Sequence, residues 1–437
     1  MRMVLMASTI SGIKSLDKEI RIQYTNKGSS TIPLSSGSVK AIYGPNGSGK
    51  SAICHAYDFY KLIVSDEAAL KDPVFASSLH AMVSKKTKSF LIENDFVAIV
   101  DEKERQSYRH RIVISIASGI PVVAEEFLGS LNVRGQLSTT YAHIKDGELV
   151  QLYSGIPLAP EDLPFLKFGS FLPYIVSSTR FAKLLPACFV HIAIPFLFAT
   201  QLYIAFGSSA DIHAPSMLDS FNHLKEIDFS SLVSSTFIRL QTAKNSQKTK
   251  SYWTGKQTDE ESIRNKVRKM VPFLQAINDS ILDVTATFQH QDSALSTATL
   301  VFHYADYSVD LEYESTGIKK AVELFDAFYY SSRGNISIID EIDAGLHDVF
   351  ITKLVDFFSL YGEGQIVMTT HNVHIMNSLK HRKHGIDFLS CDSHLVPWVQ
   401  KGDASPSRAY LNGAIERLPF NLQPSDFVPI FFGDDDQ

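Results

Sequence analysis

The eight residues Gly44-Pro45-Asn46-Gly47-Ser48-Gly49-Lys50-Ser51 fit the spacing G-x-x-x-x-G-K-[ST], between the strand-like run Val39-Lys40-Ala41-Ile42-Tyr43 and a stretch that reads as a helix beginning near Ser51. Three glycines let successive backbone N–H groups curl around phosphates at a helix N-terminus. The Lys50 ammonium then reaches the β- and γ-phosphates, and the Ser51 hydroxyl ligates Mg2+. A glycine-rich turn without the Lys-Ser pair would say little. Strand, loop, Lys-Ser and helix in this order predict a nucleotide site.

A second group of residues fits the other half of such a site. Asn335-Ile336-Ser337-Ile338-Ile339-Asp340-Glu341 is a mostly apolar run ending in two carboxylates, as when a parallel sheet delivers acids to its C-terminal edge. Asp340 would hold Mg2+, and Glu341 would polarise the water that attacks a γ-phosphate. The plainer alternative is that the two acids cap a helix starting near Leu346. Further on, Gln365-Ile366-Val367-Met368 reads as another buried strand with Thr369-Thr370-His371-Asn372 at its end, which places His371 as a γ-phosphate sensor. His374 does not make it a zinc site, because no Cys or third His completes a tetrahedral set. Upstream, Ser315-Thr316-Gly317 precedes the helical run Ala321 to Tyr330. Alone it would be a good N-cap; in the order phosphate loop, Ser-x-Gly, Asp-Glu, Asp343-containing loop and histidine it reads as a second anion contact.

The 437 residues, 45% hydrophobic and 20% charged, suffice for one large or several ordinary domains. A net charge of −6 gives no global field toward nucleic acid or anionic lipid. Three cysteines, Cys54, Cys188 and Cys391, without C-x-x-C spacing suit a reducing cytoplasm. Leu184 to Ala210 lacks Asp, Glu, Lys and Arg and has the length of a membrane span. Pro186, Pro195, His191 and Gln201 interrupt it, so a buried or partner-covered helix pair is expected instead. The run from Lys244 to Lys269, with Lys248, Lys250, Lys256, Arg264, Lys266 and Arg268, reads as a solvated face before it reads as a nucleic-acid contact. Strand-like runs with turn signals fill residues 89–150, and three more short strands are expected at Ile281 to His290, Thr297 to Tyr304 and Ser308 to Tyr313.

On these motifs the chain resembles the ABC-type ATPase heads of the SMC/RecF/OLD group, and within it the stand-alone AAA-type ATPases of bacterial abortive-infection and antiphage systems, the AriA/AbiL-like type. By that resemblance Gly44 to Ser51 corresponds to Walker A, Ser315 to Lys319 to the signature, Ile336 to Glu341 to Walker B, Asp343-Ala344-Gly345-Leu346-His347 to the D-loop, and His371 to the switch histidine. Ile10-Ser11-Gly12-Ile13-Lys14 and Tyr410-Leu411-Asn412-Gly413 are similar too. Ser315-Thr316-Gly317 departs from the Ser-Gly-Gly of transporters, and Asp348 stands where many relatives have proline.

The resemblance implies an α/β fold: an ABC-type head with a mixed or parallel P-loop core sheet, an added antiparallel sheet and a helical insert. It divides the chain into an N-terminal lobe (1–160), a mainly helical insert (161–275) and a C-terminal lobe (276–437). It implies ATP and Mg2+, and a homodimer or higher homo-oligomer that sandwiches ATP, with Ser315, Gly317 and Asp343 at the shared nucleotide. Its functional implication is a cytoplasmic sensor or scaffold that controls a separate nuclease or toxin effector, triggered by a phage protein. The alternative is a RecF-like DNA-repair ATPase, with Lys85, Lys86, Lys88 and the later basic run lining a groove.

Overall fold

The computed structural model describes residues 1–26, 32, 37–99, 104–177, 186–206, 252–290 and 295–418. Part of the basic run, Lys244, Lys248 and Lys250, and the end of the apolar stretch beyond residue 206 lie outside them.

The chain opens with β1 (Arg2–Ser11), β2 (Ile20–Gln23) and β3 (Ser38–Tyr43), followed by α1 (Lys50–Ser65) and α2 (Pro73–Met82). Five strands come next: β4 (Ser89–Ile99), β5 (Arg105–Ser115), β6 (Val122–Leu131), β7 (Leu137–Lys145) and β8 (Glu148–Leu152). Short helices α3 (Leu163–Leu166) and α4 (Phe171–Val176) lead to α5 (Pro186–Thr200) and β9 (Tyr203–Ala205). Then come β10 (Trp253–Lys256), α6 (Glu260–Gln275), β11 (Asp283–His290), β12 (Leu295–His303), β13 (Ser308–Asp310) and α7 (Thr316–Ser331). The last described elements are β14 (Ile336–Ile339), α8 (Asp348–Tyr361), β15 (Gln365–Thr369), α9 (His374–Leu379), β16 (Ile386–Leu389), β17 (Leu395–Pro397) and α10 (Pro406–Leu411).

The strands form three sheets. The six-stranded sheet has the order β17-β16-β3-β15-β14-β9; all its pairs are parallel except β16 with β17. Every residue of β14 and β15 is buried, which accounts for their near-continuous apolar sequence. A seven-stranded antiparallel sheet, β2-β1-β4-β5-β6-β7-β8, is the added sheet, and β10-β12-β11 with β13 on β12 makes the third. The expected α/β architecture is therefore present.

One core lies between the antiparallel sheet and the parallel one, filled by α1, α4 and α5 and by Ile42, Ile336, Ile338 and Val367. Val39, Ala41, Tyr43, Ile339 and Met368 face the other way, onto α8 and α9. The helix α7 bridges that second core and a third one under α6 and β12: Leu324 and Phe328 belong to one, Ile318 and Phe325 to the other. One polar contact joins the two layers and a second lies within the parallel sheet. The Gln365 side chain exchanges hydrogen bonds of 2.9 and 3.1 Å with the Leu5 backbone, tying β15 to β1. Lys40 of β3 and Asp387 of β16 form a fully buried ion pair at 2.6 Å, whose loss on either side would leave an uncompensated charge.

The apolar stretch is not the expected helix pair. It is one helix, α5, with Pro195 inside it, followed by β9, which pairs in parallel with β14. The interval 203–205 is too short for periodicity to separate strand from helix. Among the described residues no helix is long and apolar enough to cross a membrane. The strand expected over Ser308 to Tyr313 ends at Asp310 and continues as a single 3-10 turn.

Candidate functional site

The loop that follows β3 is shaped by its glycines. A Cβ at Gly44 would sit 2.3 Å from the Leu389 carbonyl oxygen and 2.7 Å from Ser48 Oγ, so only glycine lets the loop pass the end of β16. Gly47 and Gly49 have φ of 80° and 105°, the left-handed region that turns the backbone N–H groups inward before α1 starts at Lys50. Lys50 curls over this cradle, its Nζ donating to the carbonyls of Gly44 at 2.8 Å and Pro45 at 3.1 Å. Ser48 Oγ is buried without a hydrogen-bond partner among the described residues. An orphaned buried donor, an ammonium held among the described residues by two loop carbonyls, and left-handed glycines are what a phosphate would satisfy. The residues fit a nucleotide.

Carboxylates from the parallel sheet face this cradle. Burial pushes the Lys50 pKa down, while Glu341, then Asp340 and Asp343, pull it back up. Asp340 leaves β14 with its N–H on the Ala205 carbonyl of β9 at 2.9 Å. Its Oδ1 accepts from Thr369 Oγ1 at 2.6 Å and faces the Cys54 thiol at 3.8 Å, and its carbonyl accepts from the buried Lys320 Nζ at 2.9 Å. Glu341 follows in a left-handed conformation, φ 45°, with an exposed side chain. The Asp343 carboxylate accepts from Thr370 Oγ1 at 2.8 Å and from the His371 N–H at 3.2 Å, so the loop after β14 is bonded to the loop after β15. The His371 side chain is exposed. The two acids do not cap α8: that role falls to His347, whose Nδ1 accepts from the Val349 N–H.

Mg2+ would be held by Ser51 and Asp340 together with the phosphates. Among the described residues no group of three or more His, Cys, Asp and Glu could hold a metal by itself. A hard ion that keeps waters and borrows substrate oxygens needs only one or two protein ligands.

Ser315 and Gly317 are placed differently. Ser315 is the N-cap of α7, its Oγ accepting from the Ile318 N–H at 3.2 Å, and it is exposed. A Cβ at Gly317 would lie 2.8 Å from the Gly345 carbonyl, so the start of α7 packs on the loop 343–347. Among the described residues no hydrogen bond joins Ser315 or Gly317 to residues 44–51.

Several contacts here escape sequence reasoning. Cys54 lies one helical turn beyond Lys50, on the face of α1 turned to the sheet, and Thr369 closes the strand that delivers His371. Lys320, the residue after the signature run, is buried and salt-bridged to Glu323 at 2.9 Å. The described part of the basic run is largely engaged within the chain: Lys266 pairs with Asp326 at 2.9 Å, Arg264 covers Phe288, and Lys269 lies over Tyr329. Lys86 pairs with Asp17 at 2.5 Å.

The strand, the glycine-shaped loop, Lys50 and the facing carboxylates together have the geometry of a P-loop nucleotide-binding site. A family profile described as "AAA domain, putative AbiEii toxin, Type IV TA system" matches residues 213–377. That range takes in Ser315, Asp340, Glu341, Asp343 and His371 and leaves the loop 44–51 outside it. Among solved structures the chain is similar to an SMC head bound to the C-winged helix domain of ScpA, at 15% identity over 93% of this chain and 99% of that one, with a TM-score of 0.45. It is also similar to the SMC head with an extended coiled coil bound to the C-terminal domain of ScpA from Pyrococcus furiosus (15% identity, 90% and 96% covered, TM-score 0.42). The SMC head domain from Thermotoga maritima is a further one (13%, 91% and 100%, 0.34). No curated protein matches the chain.

Proposed function

We propose that this chain binds and hydrolyses ATP as a homodimer or higher homo-oligomer, two copies closing on two ATP molecules, and that this cycle controls a separate nuclease or toxin effector in an antiphage, abortive-infection system. The division of the site carries the reading. Lys50, the backbone of residues 44–51, Asp340, Glu341 and Asp343 face one another within the chain, whereas among the described residues no hydrogen bond joins Ser315 or Gly317 to that loop, and these two would complete the site of a second copy. Lys50 and the loop N–H groups bind and orient the phosphates, Glu341 takes a proton from the attacking water, and His371 contacts the γ-phosphate side. Bound Mg2+ would neutralise phosphate charge. The description of the matched domain, with its toxin and type IV toxin–antitoxin system, supports the assignment to defence. The pairing of Lys266, Lys86 and Arg264 within the chain gives no specific support to the DNA-repair alternative.

Light scattering on purified protein tests this. Glu341→Gln should dimerise with ATP and Mg2+, and Lys50→Ala should stay monomeric. Monomers of both, with ATP bound to Glu341→Gln, would rule out the composite site. Co-purification from the native operon should bring down a nuclease- or toxin-like protein. Hydrolysis stimulated by duplex DNA with a steep salt dependence would shift the reading to the RecF-like alternative.

A further inference from the structure

Thr369, the last residue of β15, is 1% exposed, and its hydroxyl is used in both directions. Oγ1 donates to Asp340 Oδ1 at 2.6 Å and accepts from the Glu341 N–H at 2.8 Å. The Thr369 carbonyl takes the Ile342 N–H at 3.1 Å. Three consecutive residues leaving β14 are thus pinned to one threonine. Glu341 needs such a restraint: its φ of 45° is costly for a residue with a Cβ and persists only where the surroundings impose it. The hydroxyl-to-carboxylate bond is short and charge-assisted, whereas the Cys54 thiol on the same oxygen, at 3.8 Å, is a weak donor.

We propose that Thr369 is a positioning residue of the hydrolytic site. It fixes the plane of the Asp340 carboxylate and, through the same oxygen, the backbone from which the Glu341 carboxylate reaches the attacking water. The inference rests on the ATPase reading above and adds a residue to it. The chemistry demands a group that donates and accepts in the volume of a hydroxyl: serine keeps both functions, valine keeps the shape and neither function.

The test is steady-state ATP hydrolysis by Thr369→Val and Thr369→Ser, with Lys50→Ala and Glu341→Gln measured alongside. Thr369→Val should lose about tenfold to hundredfold in kcat, the range expected for one hydrogen bond to a charged group. Its KM for ATP should move less than about threefold, since Lys50 and the loop 44–51 are untouched. It should also need more Mg2+ for half-maximal rate, and Thr369→Ser should recover most of the lost kcat. A wild-type kcat and Mg2+ requirement in Thr369→Val overturns the proposal, and so does a serine variant as slow as the valine one, which would assign the effect to the methyl group. If Thr369→Val does not fold, Thr369→Cys, with its weak donor, is read in the same way. Normal hydrolysis by Lys50→Ala and Glu341→Gln would instead overturn the assignment of the hydrolytic site to these residues, whereas their loss beside an unaffected Thr369→Val removes only the role of Thr369.

Discussion

Glu341 combines an exposed carboxylate with a backbone held in the left-handed region by the Thr369 hydroxyl, a combination expected where a reactive group is presented rather than packed away. Glu341→Gln keeps the shape and the backbone contact and removes only the base. Hydrolysis should slow by about two to four orders of magnitude with ATP binding retained, as single-turnover kinetics and a filter-binding assay would register. Unchanged turnover would mean that another group activates the water. The glycines of the phosphate loop make a second, graded prediction. Gly47→Ala meets no atom within 4 Å but must hold φ 80°, costing about 1–2 kcal/mol of backbone strain. Gly44→Ala must instead push the loop off the Leu389 carbonyl, 2.3 Å from the new methyl. The Gly44 variant should therefore lose more thermal stability and raise KM for ATP further than the Gly47 variant. The reverse order, measured by thermal melting and KM, would contradict the loop geometry.

The helix α1 is joined to the edge of the parallel sheet by an aromatic stack: the His55 ring lies 4.6 Å from that of Phe206, which follows β9, with 25° between the planes. Burial and, after it, the nearby Lys14 charge lower the His55 pKa from 6.5 to about 4, with Asp340 opposing. An unfolded chain takes up that proton near pH 6.5, the folded one only near pH 4, so the unfolded state binds more protons in between and stability falls as pH drops through this window. His55→Phe, which preserves the stack, should lose less melting temperature than the wild type on going from neutral pH to pH about 5. An equal loss in both proteins would show that His55 is not the responsible group. This contact also marks where the sequence stops being legible. Gly44 to Ser51 and the Ile336 to Glu341 run could be read because local spacing alone carries them: glycine φ, a strand of unbroken apolar residues, two acids at its end. The strand β9 could not, because three apolar residues after an apolar helix have no periodicity of their own and become a strand only by pairing with β14, more than a hundred positions away. Thr369 and Lys320 share that limit. A threonine at a strand end and a lysine on an amphipathic helix are ordinary in sequence, and their contacts with Asp340 exist only after α7, β14 and β15 have packed together.

A composite site makes a prediction about pairs of molecules that no property of one copy can imitate. Ser315 caps α7, so Ser315→Asp keeps a good N-cap while adding a negative charge where the proposed dimer brings a second copy's γ-phosphate. Lys50→Ala removes the phosphate cradle's cation and leaves Ser315 intact. Each variant alone should be nearly inactive, since every site in its homodimer carries the same defect. In an equimolar mixture of the two, random exchange makes about half of the dimers mixed, by the symmetry of a two-fold pair. Each mixed dimer has one site with both defects and one with neither: the Lys50 loop of the Ser315→Asp copy faces the Ser315 of the Lys50→Ala copy. Half of the dimers with half of their sites intact should recover about a quarter of wild-type turnover if the two sites fire independently. Recovery should be lower if closure requires both nucleotides at once, because the doubly defective site then holds the dimer open. A self-contained pocket gives no recovery beyond the sum of the two parents at any mixing ratio. That outcome would leave Gly44 to Ser51, Asp340 and Glu341 as a site within one chain and Ser315 as a helix cap and nothing more.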